Sequence, residues 1–586
     1  MSATPSAAAP QSAEISHAKP TPGQASRFLA QATFGPTPAD IDAVVRDGYA
    51  AWLDAQLAMP ASQTHFDWLL QQGKNTEEFK GNGINAPLES TLWRKFISAP
   101  DQVRTRVAFA LSEIFVVGVS SITASWPLFG AAGFMDLLAE HALGNYQQLL
   151  TAVTRNLSMG CMLTYRGNRK EDPKTGRHPD ENYAREVMQL FSIGLLELEP
   201  DGTIRMVDGA PVETYSNADV QGLAKVFTGW DINGPETDVE FHRRPMALNN
   251  ALHSLAEKRF LGAVVPAGTD GHLSLKRAME VICAHPNVGP FIGTQLIQRL
   301  VTSNPSRAYV ARVSAAFKDD GAGTRGNLKA VVRAILLDPE ARNPDLAAPG
   351  WGKVREPIVR FAAWARAFGA TSNTGAWAMP DTTDNTIRLA QSPMRSATVF
   401  NFFRPRYVPP VTELARQHLV APELQITDET SIAGYLNFLA IYVDRAGKTC
   451  KRLMPPRSRW RRTLPRWWHG SCCCWPATPI PPRPPTPSPA PWPRYLRAAR
   501  ETGCAPRSCW WPPAPNTWCR NDELPPRRIR PPPRIPAARL RAGSHGGWRA
   551  AGAEPGRLGR GGGAVRPGRY LQGAGLRFSV WRQRPL

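Results

Sequence analysis

The densest polar run in the chain is His178-Pro179-Asp180-Glu181-Asn182-Tyr183-Ala184-Arg185-Glu186-Val187-Met188-Gln189-Leu190-Phe191-Ser192-Ile193-Gly194. Two carboxylates, an amide and a guanidinium stand close together there. Such a set could hold a cation or act as an acid/base pair in hydrolysis. Helical spacing sorts the run. Tyr183, Val187, Leu190, Phe191 and Gly194 form an apolar stripe, while Asn182, Glu186 and Gln189 form a polar row. Glu181 and Arg185 stand four apart and can pair. Glu181 and Glu186 lie about 140° apart around a helix, so they do not face one site together. That weakens a two-carboxylate glycosidase. Glu181, Asn182, Arg185 and Glu186 are the catalytic candidates. The competing reading is a capped scaffold helix, with Arg185 in a buried ion-pair network tying Glu181 to a neighbouring helix.

Further polar clusters offer binding groups. In Tyr215-Ser216-Asn217-Ala218-Asp219-Val220, Ser216 or Asn217 reads as a helix cap with Asp219 in the first turn. In Phe227-Thr228-Gly229-Trp230-Asp231, Gly229 reads as a helix stop. His242, His253 and His285 each stand alone, which suits a hydrogen-bonded His as well as a ligand. Arg395, Arg404 and Arg406 flank Phe400-Asn401-Phe402-Phe403, a cluster that could bind an anion or carbohydrate or pair internally. Asp219, Trp230, His253, Arg395 and Arg404 are the binding candidates. No metal site is assigned, and no cofactor is identified. Gly447-Lys448-Thr449 resembles the end of a phosphate loop, but the required first glycine is replaced by Tyr442. The Gly-x-Ser-x-Gly, His-Glu-x-x-His and Gly-x-Gly-x-x-Gly patterns are missing.

Helices must position these groups. Thr37-Pro38-Ala39-Asp40 opens one, with Thr37 as cap and Pro38 in the first position. Helical spacing recurs over 101–117, 134–143, 146–157, 181–195, 218–227, 273–284, 288–300, 307–317, 327–337 and 354–368. The best hairpin is 203–207 with 212–215, around Asp208-Gly209. No βαβ rhythm or fixed repeat is present. The fold class is therefore mainly α: a large multi-helix domain with one or two short β-hairpins. No run of apolar residues is long enough to span a bilayer.

The chain has 586 residues and a formal net charge of +22. Residues 447–586 hold 28 of the 70 Lys+Arg and 4 of the 48 Asp+Glu, which leaves 42 basic and 44 acidic residues in 1–446. The basic excess thus belongs to the last quarter, and specific nucleic-acid binding by the main body is not indicated. The same quarter holds 26 of 56 prolines, 10 of 18 tryptophans and 7 of 9 cysteines, with no helical or strand period. It reads as a disordered tail. A nucleic-acid arm and a metal or disulfide module compete with a third reading, out-of-frame translation of GC-rich DNA. The third is preferred. Residues 508–520 can be reread as Ala-Val-Leu-Val-Ala-Ala, one residue, then Pro-Glu-Tyr-Leu-Val-Gln, the end of an ordinary helical protein. The cysteine spacing Cys504-x4-Cys509-x9-Cys519 fits no common zinc pattern. The organisation expected is a disordered leader over 1–24, a helical domain over 25–445 and a tail over 446–586. The leader shows no basic segment or apolar run of a signal peptide.

Arg27-Phe28-Leu29-Ala30-Gln31-Ala32-Thr33-Phe34-Gly35-Pro36-Thr37 resembles the opening of the bacterial family called Domain of Unknown Function 1800. Three later segments, in order, resemble it too: Glu181 to Phe191, Phe227-Thr228-Gly229-Trp230, and Gln391-Ser392-Pro393-Met394-Arg395 with Val399-Phe400-Asn401-Phe402-Phe403-Arg404-Pro405. The resemblance implies a mostly helical bacterial protein, exported or periplasmic, without an established activity. Gln189 replaces a common Glu, and His253-Ser254 replaces a common His-Asp pair, which argues against a metal there. Residues 569–585, reread, resemble the start of a second exported family, Domain of Unknown Function 1501, which is similar to sulfatases and alkaline phosphatases. Two functions follow. One is a non-enzymatic envelope protein that acts with this sulfatase/phosphatase-like product of an adjacent gene. The other is a hydrolase, possibly metal-assisted, acting on an extracellular polymer through the Glu181 helix.

Overall fold

Short helical segments, many of them opened by a side-chain cap, build the molecule. The computed structural model describes residues 19–81, 86–396 and 398–445. Nineteen α-helices occur among them, with three two-stranded antiparallel sheets. The main-α expectation holds, with one more hairpin than foreseen. The first helix, Pro22–Ala32, is capped by Thr21 and Gln24 in a reciprocal box. It begins inside the stretch read as leader; residues 1–18 of that leader, and the tail over 446–586, lie outside the described residues.

The second helix, Pro38–Asp47, starts as its sequence predicts, with Thr37 and Asp40 capping each other and Pro38 at its first position. Between these two helices, Thr33 Oγ1 donates to Leu29 O at 2.6 Å and Phe34 stacks on Phe96 at 4.3 Å. Gly35 sits at φ +135°, where a Cβ would come within 2.5 Å of the Ala363 backbone, so only glycine allows the late helix Pro357–Ala367 to dock. Arg366 fixes that contact by donating to Gly35 O at 2.8 Å and to Asp40 at 3.1 Å. The opening motif is therefore a clamp between the two ends of the described chain.

Within this frame the helices Val288–Leu300, Arg307–Lys318 and Leu328–Leu337 pack consecutively, and Gln102–Ser112 packs on Pro127–His141. Their inner faces join one apolar core, including Phe109, Leu138, Ile292, Val313 and Ile335. The hairpin foreseen around Asp208-Gly209 forms with shorter strands than 203–207 and 212–215, Met206 opposite Pro211 and Val207 opposite Ala210. Asp208 and Gly209 both take positive φ, 51° and 79°, as a two-residue type I′ turn requires. The other hairpins pair Trp230–Asp231 with Ala247–Leu248, and Lys258–Phe260 with Ala263–Val265.

The helix foreseen over 181–195 is shorter, Asn182–Gln189. Its end is tightened by the amides of Ile193 and Gly194, which both donate to Met188 O at 2.9 Å, with Gly194 at φ 72°. Among the described residues no helix is long and apolar enough to cross a membrane.

Candidate functional site

The apolar face of the Asn182–Gln189 helix is pinned first. Tyr183 is fully buried, donates to Thr154 Oγ1 at 2.8 Å, and lies with its ring 4.0 Å from that of Tyr165. Tyr165 in turn donates to Thr154 O at 2.6 Å. This anchor decides where the polar row points. Glu181 and Arg185 pair with each other at 3.2 Å, one turn apart, with side chains 33% and 42% exposed. The expectation of a buried Arg185 network is corrected: the pair is half in water and stays within one helix, because the buried stripe occupies the opposite face. Asn182 Nδ2 donates to Leu163 O at 3.2 Å and to Thr164 Oγ1 at 3.4 Å, so it braces the preceding loop. Glu186 is different. Its Oε2 is enclosed without a donor, and burial pushes its pKa up, against a smaller pull from Arg185.

The binding candidates fall in four separate places. Asp219 is the acidic half of a capping box with Ser216 and also accepts the Leu261 amide at 2.7 Å. Trp230 is 2% exposed, donates to Val226 O at 3.3 Å and carries the Arg155 guanidinium over its ring at 5.6 Å. His253 is buried, and its Nδ1 donates to Thr228 O at 2.9 Å, which leaves Nε2 enclosed without a partner. Burial lowers its pKa. The adjoining Ser254 donates to Glu171 at 2.9 Å. Arg395 pairs with the fully buried Glu89 and with Asp381 at 3.4 Å. Arg404 is exposed and lies 5.6 Å over the Phe400 ring. Internal pairing accounts for Arg395; Arg404 keeps an open side.

Two assemblies escaped the sequence. The first is a buried charge network. Glu113 and Glu356, from segments 243 residues apart, face each other in the interior. Burial and the neighbouring Glu356 hold the Glu113 pKa well above the usual carboxylate range. Burial also pushes on Glu356, but Glu113 beside it, together with Lys353 and Arg106, holds its pKa below that range. The two carboxyls therefore titrate as a pair rather than singly. Arg299 lies 3.7 Å from Glu113 and donates to Glu113 O at 2.9 Å; Gln391 Nε2 donates to Glu356 at 2.7 Å; Lys353 pairs with Glu423 at 2.8 Å. Gln391, from the late motif, is thereby a structural tie.

The second is an open cleft of about 1110 Å³ beside the helices His65–Gln71, Pro127–His141 and Tyr146–Thr154. Asp136 accepts the amides of His65 and Phe66 at 2.7 and 2.9 Å and so caps the first of these helices. Loss of water nevertheless pushes its pKa up to about 6. Lys95, Arg104, Arg155 and Arg244 also line the cleft, and Arg243 is paired there with Asp67. His242 donates through Nε2 to Ser125 O at 2.7 Å, with Nδ1 enclosed and unpartnered; burial lowers its pKa to about 4. Only Arg243-Arg244, adjacent in sequence, could have hinted at this cleft.

A family model described as protein of unknown function (DUF1800) matches residues 27–467. No curated protein and no solved structure matches the chain.

Proposed function

The chain belongs to the DUF1800 family of proteins of unknown function, and on that premise we propose that it is a non-catalytic helical protein of the cell envelope that binds the sulfatase/phosphatase-like product of an adjacent gene. The observation that carries this reading is that three of the four catalytic candidates, though gathered on one helix, are engaged within the fold. Glu181 and Arg185 are spent on each other, and Asn182 is spent on a loop carbonyl. Glu186 alone keeps an unpartnered oxygen. Acid/base hydrolysis needs a second group aimed at the same reacting atom, whereas a broad polar cleft suits recognition. The envelope setting and the partner rest on the family resemblance and the reread sequence.

A second reading, hydrolysis of an extracellular polymer, draws support from Glu186, whose raised pKa suits a general acid. The two separate in one experiment. The full chain is mixed with the sulfatase/phosphatase-like protein and followed by sedimentation, and in parallel is assayed alone against polysaccharide and ester substrates. The binding reading expects a stable complex and no turnover by the chain alone. Turnover that disappears in Glu186→Gln, with no complex, would establish the hydrolase instead.

A further inference from the structure

We infer that the cleft between the His65–Gln71, Pro127–His141 and Tyr146–Thr154 helices binds a carboxylate-rich peptide segment, an inference that rests on the binding reading above. Five cations line it; Arg243 is paired with Asp67, and none of Lys95, Arg104, Arg155 and Arg244 forms an ion pair among the described residues. Lys95 is 2% exposed, and burial lowers its pKa. Arg104 and Arg155 each have an enclosed Nε without an acceptor. Arg104 gives its remaining N–H groups to Ala139 O at 3.2 Å and Met59 O at 3.3 Å, and Arg244 gives one to Asn233 O at 3.4 Å. Lys95 already feels the Asp136 and Asp101 carboxylates, but enclosing the Arg104 and Arg155 guanidinia with no ion-pair partner is costly unless something anionic completes the set.

The cleft's own carboxylates do not complete it. Asp67 is taken by Arg243, Asp136 is engaged by two backbone amides, and Glu140 is exposed. Two histidines also line it. His141 lies at the end of its helix, and His242 is held neutral by burial. The unmatched charge is therefore positive. Gln147 and Gln148, in the first turn of the Tyr146–Thr154 helix, add amides suited to a peptide backbone at a helix end that favours anions.

The lining also selects among anions. Its one phenyl ring, Phe66, has the Arg243 guanidinium 4.0 Å over its face, and no Trp or Tyr lines the cleft for a base to stack on. Nucleic acid would further need many phosphate contacts, and residues 1–446 carry 42 basic against 44 acidic groups. Guanidinium forks match carboxylates in pairs. The cleft is also larger than drug-sized ligands require, which suits an extended segment.

The test uses the full chain and a fluorescein-labelled octaglutamate at about 0.15 M salt, with octaglutamine, an oligogalacturonate and a short DNA strand as competitors. A photoreactive octaglutamate maps the contact, because the basic residues of 447–586 offer a second place for an acidic probe. The expected result is labelling at the cleft and about tenfold weaker binding for each of Lys95→Met, Arg155→Met and Arg244→Gln. Thermal midpoints report folding for each variant. Arg244 is exposed, so its substitution keeps the test valid if the buried variants unfold. Unchanged affinity in Arg244→Gln, labelling only in 447–586, or stronger competition by oligogalacturonate or DNA than by unlabelled octaglutamate would overturn the inference. Its failure alongside an intact complex with the sulfatase/phosphatase-like protein moves the docking surface elsewhere. Failure of that complex with peptide binding retained removes the partner instead.

Discussion

The Asn182–Gln189 helix and the Glu113–Glu356 network both gather carboxylates and guanidinia, yet they do opposite things with them. The helix concentrates its charges within one or two turns, and the Tyr183 stripe buries the other face. Its ion pair therefore sits half in water, where screening leaves it worth little. The network collects its members from the Gln102–Ser112 helix and the residue after it, from Val288–Leu300, and from the late segment that supplies Glu356, Gln391 and Glu423. In that dry setting each charge depends on the others. Density along the sequence marks a polar helix face; density in space, drawn from distant segments, marks where charge holds the fold together.

The sharpest way to break this contrast is Arg299→Met. It should cost about 3–5 kcal/mol in urea unfolding, because Glu113 and Glu356 lose their central cation. A loss below about 1 kcal/mol would place the network on the same footing as a surface pair. Next comes Glu113→Gln. The folded pKa of Glu113 is raised, so its contribution is full at low pH and declines as pH rises through the folded value. The amide should remove that decline, gaining roughly 1.4 kcal/mol for each unit of avoided shift. Asp136 imposes the same sign between its ordinary value of 3.8 and about 6, so Asp136→Asn should flatten the stability profile across that window. Chemical denaturation at a series of pH values checks both. Ser216→Ala, which removes half of a surface capping box, should cost about 1 kcal/mol in thermal unfolding. Smallest of all, Arg185→Met should cost at most about 1 kcal/mol, since its partner is 33% exposed. A larger loss there would make the helix a buried hub after all.

The same contrast explains what could be read in advance. Helices such as Val288–Leu300 and Leu328–Leu337 announce themselves through local spacing, and the Thr37 cap and Asp208-Gly209 turn through local chemistry. Ser216 was legible as a cap with Asp219 in the first turn for that reason, and the two form a capping box. The aromatic neighbours of Arg395 suggested anion or carbohydrate binding or an internal pair, but not which partner; that partner, Glu89, stands 306 residues away. The cleft is the extreme case. Lys95, Arg104, Asp136 and Arg155 come from successive helices and converge only through packing, so no window of sequence contains the pattern. The hairpin of Trp230–Asp231 with Ala247–Leu248 was missed for a different reason: two-residue strands carry no alternation.

The central claim is that the Asn182–Gln189 helix is scaffold and the cleft is where the protein binds. Calorimetric titration of the sulfatase/phosphatase-like protein into three full-length chains tests it directly: wild type, Lys95→Met/Arg155→Met, and Asn182→Ala/Glu186→Gln. The account predicts about a hundredfold loss of affinity in the cleft variant and wild-type affinity in the helix variant. Wild-type affinity in a folded cleft variant, with binding abolished in a folded helix variant, would contradict it.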